Sequence, residues 1–399
     1  MNNTLQTKFT DLETAVLSET FEMETAVHGI NVALASGTHV FFNGPPGIAK
    51  SFVINRMVWR IANNKHMHLL FSPYTIVPDL FGPDDIQGLR EGHRRRLPAG
   101  FLPEANTFFG DEIFKAGNAI LNALLTIMNE KLWSDDGQMK PAALSSGFFA
   151  SNEFPEDDSL AALYDRIQQR YEFSAIKERE NFTNMLMLSE ASKPDPIMDW
   201  ADVEKAKAEV AKVAYPRSVA EAITDVRYEL LEQHNITPSP RRYRQLGGIL
   251  RAEAWLAGRD KIELEDVELA EHVLWEKPEQ RAEIAKVIVS RCNPHHQEVL
   301  DLVADWSELA AMVDETQAIK DTTAGEKGRK STATTELTTK LNEAMLELKT
   351  TLAKPLSNRA RASALKGKSI LVTAYKRALI ELHHLPETMI DGEIERLGF

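Results

Sequence analysis

His39-Val40-Phe41-Phe42 runs through Asn43 into Gly44-Pro45-Pro46-Gly47-Ile48-Ala49-Lys50-Ser51, and this stretch decides the fold. The dense apolar run reads as a buried strand, the glycines and prolines as a tight turn, and the residues after Ser51 as a helix reaching about Asn63. Strand, glycine-rich turn and helix in that order gather backbone N–H groups and the positive end of a helix dipole around a phosphate. Lys50 can then reach the β- and γ-phosphates of a nucleotide, and Ser51 can ligate Mg²⁺. The expected nucleotide contact is Gly44, Pro45, Pro46, Gly47, Ile48, Ala49, Lys50, Ser51 and Phe52. Glycine is more usual where Ala49 stands, and a methyl group fits there if the backbone keeps φ negative.

Further apolar runs follow at His68 to Ser72, Thr107 to Gly110 and Gly147 to Ala150, with helical stretches such as Ala119 to Lys131 between them. That alternation predicts an α/β fold, a parallel sheet flanked by helices. Asp111 and Glu112 close the second of these strands, at the end where such sheets hold ligands. Asp111 is expected to hold Mg²⁺ and Glu112 to polarise the attacking water. Asn152, after the next strand, can hydrogen-bond a γ-phosphate or that water. Arg166 and Arg170 supply guanidinium groups that can stabilise a transferring phosphoryl group across a subunit boundary.

From about residue 176 the pattern turns helical, as in Ala201 to Ala214 and Ala220 to His234. The expected organisation is an α/β nucleotide-binding domain over 1–175, an all-helical lid over 176–275 and a helical segment over 276–320. A flexible linker is expected over 321–335, where Thr, Gly, Lys and Ser leave little to bury. A C-terminal helical extension over 336–399 follows, with Leu337, Leu341, Met345, Leu348 and Leu352 at helical spacing.

With 399 residues and 43% hydrophobic content, the chain can give each of two or three domains a core. Its 46 Lys and Arg against 59 Asp and Glu give a net charge of -13, which argues against sequence-independent nucleic-acid binding by the whole surface. Cys292 is the single cysteine, which suits a reducing, cytoplasmic setting. Acidic residues from Asp11 to Glu24 exclude a signal-peptide core, and there is no apolar run long enough to span a bilayer. His66 and His68 could share a strand face, yet no neighbouring ligand spacing completes a metal cage. From Lys354 to Arg377 there are seven basic residues and no acid, either a docking patch for an acidic partner or nucleic acid, or a solvated helical face.

GPPGIAKS, then FFGDEIFKAGNAILNALLTIMNEK, then ASNEFPEDDSLAALYDR resemble, in order and spacing, the Walker A, Walker B and sensor 1 segments of the MoxR branch of AAA+ ATPases, most closely the RavA type. The resemblance covers about residues 10 to 270, including Ser239-Pro240-Arg241-Arg242, similar to a sensor 2 helix start, and Gly258-Arg259-Asp260 beyond it. It implies ATP and Mg²⁺ as cofactors, with Asn152 as sensor 1 and Arg166, or else Arg170, as the arginine finger. Arg241, with Arg242 as second choice, would contact the γ-phosphate from the lid. The resemblance further implies a homo-hexameric ring that remodels or assembles a protein partner, often a von Willebrand A-type protein. Asp79 to Pro103 occupies the place of this branch's pore-facing insertion, making Arg90, Arg94, Arg95 and Arg96 candidate partner contacts beside the plainer reading of a solvated charge run. Gly110 departs from the aliphatic residue usual before the Asp-Glu pair. A nucleic-acid motor or loader, and the motor subunit of a metal chelatase, are the alternatives that the same core allows.

Overall fold

The computed structural model describes residues 4–154, 163–188, 193–354, 356, 358–383, 385–386, 389–390, 394 and 396. The chain divides into two compact units, Met1–Ile284 and Ala285–Phe399. The first is built on five strands: β1 (Val40–Asn43), β2 (His66–Leu70), β3 (Thr107–Asp111), β4 (Ser146–Ser151) and β5 (Gln169–Glu172). Their order is β2-β3-β4-β1-β5, and every pairing is parallel. Parallel neighbours require crossovers, and α3 (Lys50–Val58) begins the one after β1, while α1 (Thr4–Leu17) and α2 (Glu24–Ser36) precede that strand. The chain thus opens on two helices, with Glu22 in the left-handed region (φ 59) between them.

Phe41, Phe42, Phe108, Phe109, Phe148 and Phe149 are all fully buried. Strands this apolar on both faces are what a sheet covered on both sides demands. Gly110 answers to the same crowding. A side chain there would meet the Phe71 ring at 2.8 Å, Phe149 at 3.0 Å and Phe108 at 3.1 Å, so the aromatic neighbours occupy the space an aliphatic residue would need.

Between β2 and β3 the insertion carries two short helices, α4 (Val77–Phe81) and α5 (Ile86–Arg90). Between β3 and β4 lie α6 (Asn118–Glu130) and a hairpin of Leu132–Asp135 with Gln138–Pro141. Neither the hairpin nor β5 was expected, because both are polar in sequence. After β5 come α7 (Arg179–Leu186) and the lid helices α8 (Trp200–Val210), α9 (Arg217–His234) and α10 (Pro240–Leu256). The lid packs through α8 and α10 on α2.

The second unit is helical. Helix α11 (Arg281–Cys292) runs into it from the first, and α12 (Pro294–Gln317), α13 (Ala324–Ala353) and α14 (Asn358–Glu381) form its body. The linker expected over 321–335 is a correction: from Ala324 onward this stretch is the start of α13. Local capping overrides its poor apolar content. Thr323 accepts from the Glu326 N–H at 3.3 Å, while the Glu326 carboxylate accepts from the Thr323 N–H at 2.9 Å. Leu337, Leu341, Met345 and Leu348 then pack against Trp306, Leu371 and Tyr375.

Candidate functional site

Strand order places the site. β3, β4 and β1 are adjacent, with Asp111 opposite Ala150 and Asn43 opposite Ser151, so their C-terminal ends open onto one edge of the sheet. The loop from Gly44 leaves β1 there, Asp111 and Glu112 leave β3, and Asn152 leaves β4, exposed. Gly44 ties two of these ends together by donating its N–H to the Ser151 carbonyl at 3.2 Å. A side chain at Gly44 would lie 2.5 Å from Ile48 Cδ1 and 2.7 Å from the Phe173 carbonyl, so only glycine fits where β1 turns into the loop.

Helix α3 begins at Lys50, which directs its first N–H groups and dipole at the loop. The Lys50 ammonium is buried and donates to the carbonyls of Gly44 and, at 3.1 Å, Pro45. Burial pushes its pKa down, against the pull of Glu112 and Asp111. Ser51 Oγ donates to Asp111 Oδ2 at 3.3 Å, and Asp111 Oδ1 accepts from the Glu112 N–H at 3.0 Å. Phe52, on the next position of α3, lies under the Arg56 guanidinium, 5.6 Å from it.

Two backbone positions here are strained. Glu112 sits in the left-handed region (φ 53), and its carboxylate forms an ion pair with Lys115 at 3.3 Å. Ala49 has φ 63, which corrects the expectation of a negative φ. Its Cβ is accepted at a cost of about 1–2 kcal/mol. Strain of this kind persists where surrounding structure over-determines the backbone.

The donor set suits a nucleotide polyphosphate with a divalent cation. Ser51 and Asp111 offer a hydroxyl and a carboxylate oxygen side by side, oxygen ligands of the kind Mg²⁺ takes with waters and phosphates. No group of three or more His, Cys, Asp or Glu able to hold a metal by itself occurs among the described residues.

The arginines divide sharply. Arg170, on β5, is 0% exposed. It donates to the carbonyls of Trp275, Val273 (3.3 Å) and Tyr164 (2.7 Å), and lies 4.0 Å over the Tyr164 ring. A guanidinium so enclosed cannot reach another subunit, which removes Arg170 as the alternative finger. Arg242 is 2% exposed and draws on the same two carbonyls, Val273 at 3.1 Å and Trp275 at 2.7 Å.

Asp165 holds the start of α10: it accepts from Ser239 at 3.0 Å, Arg242 at 3.1 Å and Arg241 at 3.3 Å. Arg166, the next residue, is partly buried, and that burial and then the neighbouring Arg241 lower its pKa. Arg241 thus stands with Arg166, on the carboxylate of Asp165. Residues 155–162 of the sensor 1 segment lie outside the described residues.

In the insertion, Arg95 pairs with Asp85 at 3.0 Å and Arg96 donates to the Gly82 carbonyl at 3.1 Å. The backbone N–H groups of Arg94 and Arg96 bind Asp136 at 2.9 Å and Asp135 at 2.8 Å on the hairpin. These arginines shape the insertion, and Arg90 is left exposed on α5. His68 stacks on Phe109 at 4.4 Å as a strand neighbour.

A family profile described as the MoxR domain in the MoxR-vWA-beta-propeller ternary systems matches residues 7–211, and one described as an AAA lid domain matches residues 218–288. The chain belongs to the MoxR family of AAA+ ATPases. Two relatives of this MoxR chain come from Methanocaldococcus jannaschii: uncharacterized protein MJ0079 is 33% identical over 68% of the chain and 72% of its own length. Uncharacterized protein MJ0812 is 34% identical over 66% of the chain and 71% of its own length. Among solved structures, a candidate ATPase from Cytophaga hutchinsonii shares the fold, with a TM-score of 0.58, 19% identity, and coverage of 72% of this chain and 95% of that one.

Sequence reasoning missed Asp165, Lys115 and the burial of Arg242. Asp165 and Arg242 are 77 residues apart, and nothing local announces their pairing. Lys115 could have been found, since three residues after Glu112 places it on the same side of a helical turn.

Proposed function

We propose that this MoxR-family chain hydrolyses ATP with Mg²⁺ and uses the cycle to remodel or assemble a partner protein. The observation that carries the reading is the meeting of Lys50, Ser51, Asp111, Glu112 and Asn152 at the open ends of three adjacent strands. ATP with Mg²⁺, when bound, supplies the electrophilic phosphorus and neutralises charge on the phosphates. Ser51 and Asp111 hold the cation, and Lys50 leaves the loop carbonyls for phosphate oxygens. Glu112 accepts the proton of the attacking water, once it is released from Lys115, and Asn152 orients that water or the γ-phosphate.

Arg166, with Arg241 beside it, is offered to the nucleotide of a neighbouring subunit in a homo-hexameric ring. The family description names MoxR-vWA-beta-propeller systems, which supports a von Willebrand A-type partner here. The likeness to the RavA type rests on the core motifs alone. The internal pairing of Arg95 and Arg96 favours a protein partner over nucleic acid at the insertion.

The test is the Glu112→Gln variant. It should retain ATP binding while turnover falls by about 10²–10⁴-fold, and undiminished turnover would sink the assignment. An Arg166→Ala subunit mixed with wild type should lower the rate more than in proportion; independent activities would remove the intersubunit step. DNA stimulation that weakens steeply with salt would move the reading to a nucleic-acid motor.

A further inference from the structure

The second unit carries two surfaces of opposite charge, and neither takes part in the nucleotide site. Between α12 and α13 runs a groove of about 460 Å³ lined by Asp305, Glu308, Leu309, Met312, Glu343 and Glu347, with Lys340 at one side and Trp306 and Ala344 in its floor. Four carboxylates against one ammonium leave it strongly negative, and none of the four forms an ion pair among the described residues.

Trp306 supplies a second, independent sign. It is fully buried, and its indole N–H has no hydrogen-bond partner among the described residues. An unpaired buried donor is costly, on the order of 1–3 kcal/mol. The benzo edge of the ring, Cε3 and Cζ3, abuts Gly367 on α14, where an added Cβ would lie 2.8 Å from both atoms. Trp306 also lines the groove.

The complementary surface is on α14. Arg361, Leu365, Lys366 and Ser369 fall on its exposed face at helical spacing, and Leu365 is 51% exposed. This face offers cations for the groove's carboxylates and an apolar side chain for Leu309 and Met312. The groove and the basic face are different patches of one bundle, so copies can pair reciprocally in a closed dimer or head-to-tail in a ring or filament.

We propose that the groove between α12 and α13 receives the Arg361–Ser369 face of α14 from a second copy of this chain. This contact stands apart from the ATPase reading, because it needs no nucleotide. The experiment mixes isotopically heavy and light full-length protein without nucleotide and applies a zero-length carbodiimide cross-linker, which joins a carboxylate directly to a touching lysine.

Heavy–light cross-links from Glu308, Glu343 or Glu347 to Lys366 are expected. The double variants Glu308→Lys/Glu343→Lys and Arg361→Glu/Lys366→Glu should each weaken self-association in sedimentation on the order of tenfold. Mixed one to one, they should recover it, because each then meets the opposite charge. The proposal is overturned by an absence of these inter-copy cross-links, by self-association indifferent to both charge reversals, or by failure of the mixture to recover.

Discussion

Ser51 Oγ donates a hydrogen bond to Asp111 Oδ2 at 3.3 Å, joining the first turn of α3 to the end of β3 across 60 residues of chain. The pair defines where a divalent cation would sit, because it is the meeting of a hydroxyl and a carboxylate beside the loop that begins at Gly44. Ser51→Ala should keep the fold while raising the Mg²⁺ concentration needed for half-maximal nucleotide binding, by about tenfold for the loss of one ligand. A Mg²⁺ titration of fluorescent nucleotide binding reads this directly, and an unchanged midpoint would remove Ser51 from the cation site.

Ala49 predicts a gain. Its left-handed backbone costs about 1–2 kcal/mol, whereas glycine adopts it freely but loses about 0.5–1 kcal/mol of chain entropy on folding. Ala49→Gly should therefore raise stability by about 0.5–1 kcal/mol, measured as a shift of the urea midpoint at unchanged slope.

Asp165 predicts a loss at the junction of core and lid. Asp165→Ala removes the carboxylate facing the buried Arg242 guanidinium and leaves it with carbonyl partners alone, at a cost of about 3 kcal/mol. Hydrogen exchange should locate the loosening at the backbone amides of α10 and of the segment around Val273 and Trp275. A destabilisation below 1 kcal/mol would mean that the carbonyls suffice to hold Arg242.

His28 makes stability depend on pH. Its ring lies between Glu253 at 2.7 Å and Glu13 at 3.2 Å, joining α2 to α10 and α1. Burial lowers its pKa, but the carboxylates of Glu253 and Glu13 outweigh burial and raise it to about 10. The folded form thus binds the proton more tightly than an unfolded chain with an ordinary value near 6.5. The stabilisation is complete below about pH 6.5 and is lost as pH rises through about 10. Unfolding midpoints measured between pH 6 and 10 should fall for the wild type, and His28→Gln should remove that part of the slope.

The α/β architecture was legible because its signals are local. An apolar strand, a glycine turn and a helix lie within about 20 residues, and the Asp-Glu pair closes an equally plain strand. β5 was not legible: Gln169-Arg170-Tyr171-Glu172 has no apolar run, and Arg170 is buried only because carbonyls about a hundred residues later receive it. The linker reading failed for the opposite reason. Composition over a window hid a capping box, Thr323 with Glu326, that starts α13 where apolar content is low. At Ala49 the residue type favoured negative φ, and the demands of the loop prevailed over it.

The two guanidinium groups of Arg170 and Arg242 share the Val273 and Trp275 carbonyls, one from the sheet and one from the lid. They therefore behave as a gear rather than a hinge. A rotation of α10 that carries Arg242 away takes one of two donors from each of these buried carbonyls and leaves them to Arg170 alone. Through Asp165 the same rotation pulls on the turn that bears Arg166, so the lid cannot shift without re-aiming that side chain.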